Sequence, residues 1–141
     1  MTPSARLQSA IELLDQIIVA ARDGGASADN IAKRFFAERR YAGSKDRRAV
    51  RDLAWSAIRR FGERPSNARS AFVAMADGDA ALAALFDGSG YGPSQIDANE
   101  LRAGGGELPE WLLPLLSPLV DATEQTALLD RAPLDLRVNV L

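Results

Sequence analysis

The sequence contains neither cysteine nor histidine among its 141 residues. Disulfides, thiolate nucleophiles, zinc sites built from Cys or His, and imidazole general bases are therefore excluded. No stretch approaches the roughly 20 consecutive apolar residues that cross a bilayer, and residues 1–30 lack the compact apolar core of a signal peptide. We expect a cytoplasmic protein that does not use the most common catalytic side chains.

Acidic residues are plentiful after Ser70, but they do not form a recognisable site. Eleven Asp and Glu residues there face only three arginines, and they are scattered over loops and helix starts. No pair of carboxylates has the flanking residues of a glycosidase or a nuclease. Two glycine clusters, at residues 88–92 and 104–106, lack the Lys-Ser or Lys-Thr pair of a phosphate-binding loop and are interpreted as turns. The sequence therefore assigns no catalytic residue, no metal site and no cofactor site.

Apolar residues recur at steps of three and four residues through most of the chain, which predicts an all-α fold. A length of 141 residues and a hydrophobic content of 47% suit one globular domain. Caps, glycines and prolines then set the expected helix limits. Helices are predicted from Ser4 to the glycine pair at 24 and 25, from Ser27 to Arg39 or Arg40, from Ser44 to Gly62, over 65–75, 80–86 and 94–102, from Pro109 with breaks at Pro114 and Pro118, and over 121–130.

The end of the chain follows a different pattern. Apolar residues alternate with polar ones over residues 134–140, which is the two-residue period of a strand. The sequence offers no second strand to pair with it, so its backbone hydrogen-bonding groups would lack partners. We therefore expect residues 1–131 to be a helical domain and residues 132–141 to be a linker and the first strand of a region that follows. The alternative is a short tail lying against the helices.

Positive charge is concentrated in one part of the chain. Residues 33–64 contain eleven of the seventeen basic residues and only four acids, whereas the whole chain has a net charge of −2. A local excess of about seven positive charges is typical of a surface that contacts nucleic-acid phosphates. The alternative is an arginine-rich face that serves solubility alone.

The third predicted helix carries this charge on one face. At about 100° per residue, Arg48, Arg51, Trp55 and Arg59 fall within roughly 80°, largely opposite the apolar stripe. Guanidinium groups bind phosphates and an indole stacks on an unpaired base, so the pattern favours single-stranded or looped RNA. In the alternative interpretation, Trp55 packs under a neighbouring helix and the arginines pair with acids of the second half. The candidate RNA-binding residues are Arg39, Arg40, Lys45, Arg47, Arg48, Arg51, Trp55, Arg59 and Arg60.

Residues 40–53, followed by Trp55 and the Arg59-Arg60 pair, resemble the NusB-like domain of the Sun/Fmu family of bacterial 16S rRNA cytosine-C5 methyltransferases. In that pattern an Asp-Arg pair opens the helix, a Leu and an aromatic residue follow, and an Arg closes it. Trp55 departs from the more usual Tyr. Residues 109–112 and 131–139 are also similar to the family, the latter to the entry of a small ferredoxin-like module. The matching helix residues are Asp46, Arg47, Leu53, Trp55 and Arg59.

The resemblance implies a NusB-like helical bundle within a parent protein that transfers a methyl group from S-adenosylmethionine to a cytosine of 16S rRNA. The family's catalytic cysteine pair and glycine-rich cofactor motif are absent from this sequence. Without cysteine the chain cannot supply the nucleophile that adds to cytosine, so no catalytic residue carries over. The expected role is a non-catalytic RNA-binding domain without a cofactor of its own, whose partners are 16S rRNA and the downstream methyltransferase domains. No membrane or DNA partner is expected.

Two other functions fit the sequence less well. A protein-interaction or interdomain scaffold module would present an apolar groove, with Phe35, Phe36 and Trp111 as its candidates. A helix-turn-helix DNA-binding unit would occupy residues 28–60, with the third helix in the major groove. The connection over residues 39–44 is long for that turn, and no dimerisation element is evident. The DNA-binding hypothesis therefore ranks last.

Overall fold

The computed structural model describes residues 1–129 and begins with the long helix α1 (Pro3–Arg22). The Thr2 hydroxyl caps this helix by accepting a hydrogen bond from the Ala5 backbone N–H at 3.2 Å. Ser4, which the sequence predicted as the cap, lies inside the first turn and is buried. Proline at the first helical position moves the start towards the N-terminus, because it needs no N–H there.

Three helices pack on α1: α2 (Ala28–Glu38), α3 (Ser44–Arg60) and α4 (Ala68–Ala76). These four helices match the predicted ones within a few residues, except that α4 begins at Ala68, with the Asn67 side chain as its cap, instead of at the preceding Pro-Ser pair. The core is apolar and aromatic, and its fully enclosed members come from all of these helices. They include Leu7, Leu13, Phe35, Val50, Phe72 and Val73.

The later part of the chain contains shorter helices. They are α5 (Ala80–Ala83), a 3₁₀ turn over Leu113–Leu115, and α6 (Ala122–Leu129). The helix predicted from Pro109 is reduced to this turn, since its hydrogen bonds join residues three apart. Pro114 cannot donate the backbone hydrogen bond that an α-helix requires there.

The predicted helix over 94–102 is wrong, and Arg69 supplies the physical reason. Its guanidinium donates to the backbone carbonyls of Ser94 and Gln95 at 3.1 and 3.2 Å, which a helix would have used for its own hydrogen bonds. It also forms a bidentate ion pair with Glu100. The Arg69 guanidinium thereby lowers the pKa of that carboxyl group. A tertiary contact therefore holds this segment as an irregular loop.

The fold is all-α over residues 1–129, in which no strand occurs. The strand predicted over 134–140 and the boundary predicted at residue 131 lie outside the described residues. None of the helices in the described part of the chain is long and apolar enough to cross a membrane.

The glycine-rich loop over residues 87–93 is fixed against the start of α1. Asp87 accepts a hydrogen bond of 2.6 Å from the Ser4 hydroxyl, and this bond and those from Ser89 lower the pKa of Asp87. Gly92 lies so close to these groups that a Cβ atom would be 2.8 Å from Ser4 Cβ and 2.7 Å from Ser89 Oγ, and closer still to Asp87 Oδ1. The close approach therefore requires glycine at position 92.

Replacing Gly92 with alanine tests this close packing. Gly92→Ala forces the loop away from α1, and we expect it to lower the free energy of unfolding by about 1–3 kcal/mol, measured by urea denaturation. Gly90→Ala is the matched control, because a Cβ atom at position 90 meets nothing within 4 Å. We expect the control to change stability by less than about 1 kcal/mol. Equal losses in both variants would contradict the packing explanation.

Candidate functional site

Helix α3 is held by Asp46 in its first turn. The Asp46 carboxylate accepts hydrogen bonds from Arg6 Nε at 2.9 Å and from the Gly43 backbone N–H at 3.3 Å. The Met1 α-amino group lies 3.4 Å from the same carboxylate. These partners, the Arg6 hydrogen bond above all, lower the pKa of Asp46. The start of α3 is thereby fixed to the start of α1, and Gly43, not Ser44, is its N-cap residue.

The two faces of α3 differ in burial as the wheel predicted. Val50, Ala54 and Ala57 are buried against the core. The solvent face carries the basic residues, and four of the nine candidate RNA-binding residues are exposed without an ion-pair partner within residues 1–129. We call these four the basic surface: Arg40, Lys45, Arg48 and Arg59.

Arg39 and Arg47 instead hold the loop between α2 and α3. The Arg39 guanidinium lies 3.6 Å from the centre of the Phe35 ring and 3.0 Å from Glu12 Oε2, and its side chain is only 22% exposed. Arg47 Nε donates to the Ala42 carbonyl at 2.8 Å. Both guanidinium groups are already bound within the chain, so their first role is to fix the connection.

Arg51 and Arg60 are exposed like the basic surface, but each already has an ion-pair partner. Arg51 forms an exposed ion pair of 2.7 Å with Asp29, and Arg60 lies 3.6 Å from Glu107. Exposed pairs of this kind contribute only about 0.2–1 kcal/mol. A phosphate group can therefore replace either carboxylate at little cost. Of the nine candidates, Arg60 alone has a described pairing with an acid of the second half.

Trp55 combines the two interpretations offered by the sequence. Its side chain is half-buried and packs against the core, as the alternative interpretation expected. The remaining part lies among the arginines, with the Arg51 guanidinium 5.0 Å from its ring centre. Arg51, Asp52, Trp55 and Arg59 line a small cavity of about 210 Å³. The indole thus supports the basic residues and offers only part of its surface to a ligand.

A larger cavity, of about 870 Å³, escaped the sequence interpretation. It lies where the start of α1 meets the loop after α2 and the glycine-rich loop. Two tyrosines line it and remain largely in solvent, Tyr41 at 71% and Tyr91 at 83% exposure. The available signal was their position: Tyr91 is flanked by glycines and Tyr41 lies two residues before Gly43, so each is in a turn where a large aromatic ring has no core to fill. Its lining residues are Met1, Thr2, Ala5, Gln8, Ser9, Glu12, Tyr41, Gly90, Tyr91 and Gly92.

The apolar groove proposed for a protein partner does not form around the aromatic pair of α2. Phe35 and Phe36 are buried in the core, where their rings meet edge to face at 5.3 Å. Trp111 is 67% exposed and lies away from α2 in the chain. Within residues 1–129, no group of three acidic side chains is placed to hold a metal ion.

The role of Asp46 predicts a specific pH dependence. Because its pKa is lower in the folded chain, its contribution to stability is present above about pH 4 and is lost as the pH falls through the folded-state pKa. Asp46→Asn should lower the urea midpoint at pH 7, and the difference from the wild type should shrink below about pH 4. Asp52→Asn, which removes an exposed carboxylate of the same helix, should show no such convergence. Parallel curves for Asp46→Asn would contradict the proposed contact.

No protein-family model, curated protein or solved structure matches this chain. The geometry and charge of the described residues, together with the resemblance of the sequence, are therefore the basis for its function.

Proposed function

We propose that the chain is a non-catalytic RNA-binding domain that uses the basic surface to hold and orient its RNA. One observation carries this proposal. Arg40, Lys45, Arg48 and Arg59 are exposed cations without ion-pair partners in residues 1–129, although acidic residues outnumber basic ones in the whole chain. Cations left unpaired on one helix and its preceding loop favour an anionic partner.

The dimensions of α3 suit a polyanion better than a small anion. Lys45 and Arg59 are fourteen residues apart, which is about 21 Å along the helix axis at ~1.5 Å per residue. A nucleic-acid strand presents several phosphates over that length, whereas an isolated phosphate would reach one or two of these side chains. Contacts of this kind position the strand without reading its sequence.

The resemblance of the sequence gives the proposal its context. A NusB-like bundle at the start of a Sun/Fmu methyltransferase would hold 16S rRNA while the downstream domains bind S-adenosylmethionine and modify a cytosine. The α1 to α4 bundle and its outward-facing α3 are compatible with this role.

A second candidate function rests on a different surface. The segment after residue 110 exposes several large apolar side chains, which a monomeric protein rarely leaves together in solvent. They favour a contact with another protein or with a downstream domain of the same chain. In this scaffold function the basic surface would serve that contact. The exposed residues are Trp111, Leu113, Leu115, Leu119 and Leu128.

Reversing two charges of the basic surface tests the RNA-binding proposal. The double variant Arg48→Glu and Arg59→Glu should bind a structured 16S rRNA fragment roughly tenfold or more weakly than the wild type. The magnitude of the slope of log affinity against log salt should fall by about 1.4, because each phosphate contact with an unpaired strand of the RNA contributes about 0.7. Fluorescence anisotropy at several salt concentrations measures both quantities. A matched DNA duplex should bind more weakly than the RNA.

The control variant changes the net charge equally at other places. Arg22→Glu and Arg102→Glu alter exposed residues that pair with Asp23 and Asp77, outside the basic surface. This variant should retain most of the affinity and the full salt slope. Equal losses in the two variants would mean that only net charge matters. No binding by the wild type at low salt would reject the proposal and favour the scaffold function.

A further inference from the structure

The cavity beside Tyr41 and Tyr91 has the properties of a binding site for a flat aromatic group. Its volume of about 870 Å³ is within the range of ligand sites, which is roughly 300–1,000 Å³. Each of the two tyrosine rings exposes most of its surface. Planar rings of this kind stack on nucleobases without regard to sequence.

The walls of the cavity are fixed before any ligand arrives. The loop that carries Tyr91 is held to α1 by the hydrogen bond between Ser4 and Asp87 and by the close packing of Gly92. The loop that carries Tyr41 is held by Arg39, which joins it to Glu12 of α1. A preorganised site binds its ligand at a smaller cost in conformational entropy, because fewer side chains must be ordered.

Polar groups at the cavity suit the edge of a base. Gln8 Nε2 donates to Glu12 Oε1 at 3.2 Å, and the Gln8 amide has a second N–H and a carbonyl oxygen that can meet a base edge. Ser9 adds a hydroxyl to the lining of the cavity. The charge of Glu12 is already balanced by Arg39 at 3.0 Å, so it does not repel a polyanion strongly. Stacking between aromatic rings with hydrogen bonds to the base edge is how proteins recognise unpaired bases of RNA.

We propose that this cavity binds one unpaired base of the RNA whose phosphates contact the basic surface. The inference rests on the proposed function and adds to it a second binding site, which the distribution of charge in the sequence does not predict. Continuity along the chain supports RNA over a peptide: Arg40 immediately precedes Tyr41, and α3 with its exposed cations begins at Ser44. A strand that follows α3 therefore reaches the cavity at the same loop.

Removing the rings tests the inference with two probes. The probes are a short single-stranded oligocytidylate and an RNA of equal length whose nucleotides lack bases. Tyr41→Ala and Tyr91→Ala should each weaken oligocytidylate binding by roughly tenfold, since stacking contributes about 1–3 kcal/mol per base. The abasic RNA should bind the wild type more weakly than oligocytidylate does, and equally to all three proteins. Tyr41→Phe keeps the ring and should retain affinity within about twofold.

The salt dependence separates the two sites. The tyrosine variants should keep the salt slope of the wild type, because they remove no phosphate contact. Binding of oligocytidylate that is unaffected by the alanine variants would overturn the inference and leave the cavity to another occupant, such as a peptide, while the basic surface remains the RNA site. An equal loss for the abasic RNA would overturn it as well. If the wild type binds neither probe at low salt, both proposals fail.

Discussion

Burial of α1 is the constraint on which the rest of the structure depends. Its buried residues, from Ala5 through Leu13 and Leu7 to Ser4, occupy roughly 260° of the helix circumference at 100° per residue. Such a wide face cannot be covered by one neighbour, and α2, α3 and α4 all pack on it. Once α3 has placed its own apolar stripe against this helix, its charged residues have no position other than solvent. The basic surface is therefore a consequence of the packing.

Carboxylates on the central helices set where α3 and α4 begin. Asp15 of α1 accepts the Ala68 backbone N–H at 2.7 Å and so fixes the first turn of α4. Asp46 of α3 accepts the Gly43 backbone N–H at the start of its own helix and also forms an ion pair with the Arg6 side chain of α1. Both carboxylates satisfy or orient groups at a helix start, where backbone donors lack partners within the helix. Acidic residues in this basic half thus serve the architecture, which leaves the exposed cations without neutralising partners among the described residues.

The sequence predicted the first half of the fold better than the second, and the difference has a physical cause. In α1 and α3, one period of apolar residues is long enough to define a helix and its buried face. The segment over 94–102 also has helical composition. However, two of its backbone carbonyls accept hydrogen bonds from Arg69, which lies 25 or more residues earlier in the chain. The candidate site shows the same contrast between features set by local sequence and features set by contacts between distant residues. Charge density predicted the basic surface, whereas the tyrosine cavity depends on two loops that meet only in the folded chain.

Some basic residues in this chain are exposed to solvent and others are bound within the fold, and their positions in the sequence do not distinguish the two groups. Arg48 and Arg59 remain exposed and are available to a polyanion, whereas Arg39 is used to hold the loop of Tyr41 against Glu12 and Phe35. An Arg39 variant would remove a positive charge and disturb the cavity at once. A loss of RNA binding in that variant could therefore not be assigned to the basic surface or to the cavity. Variants at Arg48, Arg59 and the two tyrosines would separate the proposed phosphate contacts from the proposed base stacking, because these four side chains are exposed and do not hold the fold together.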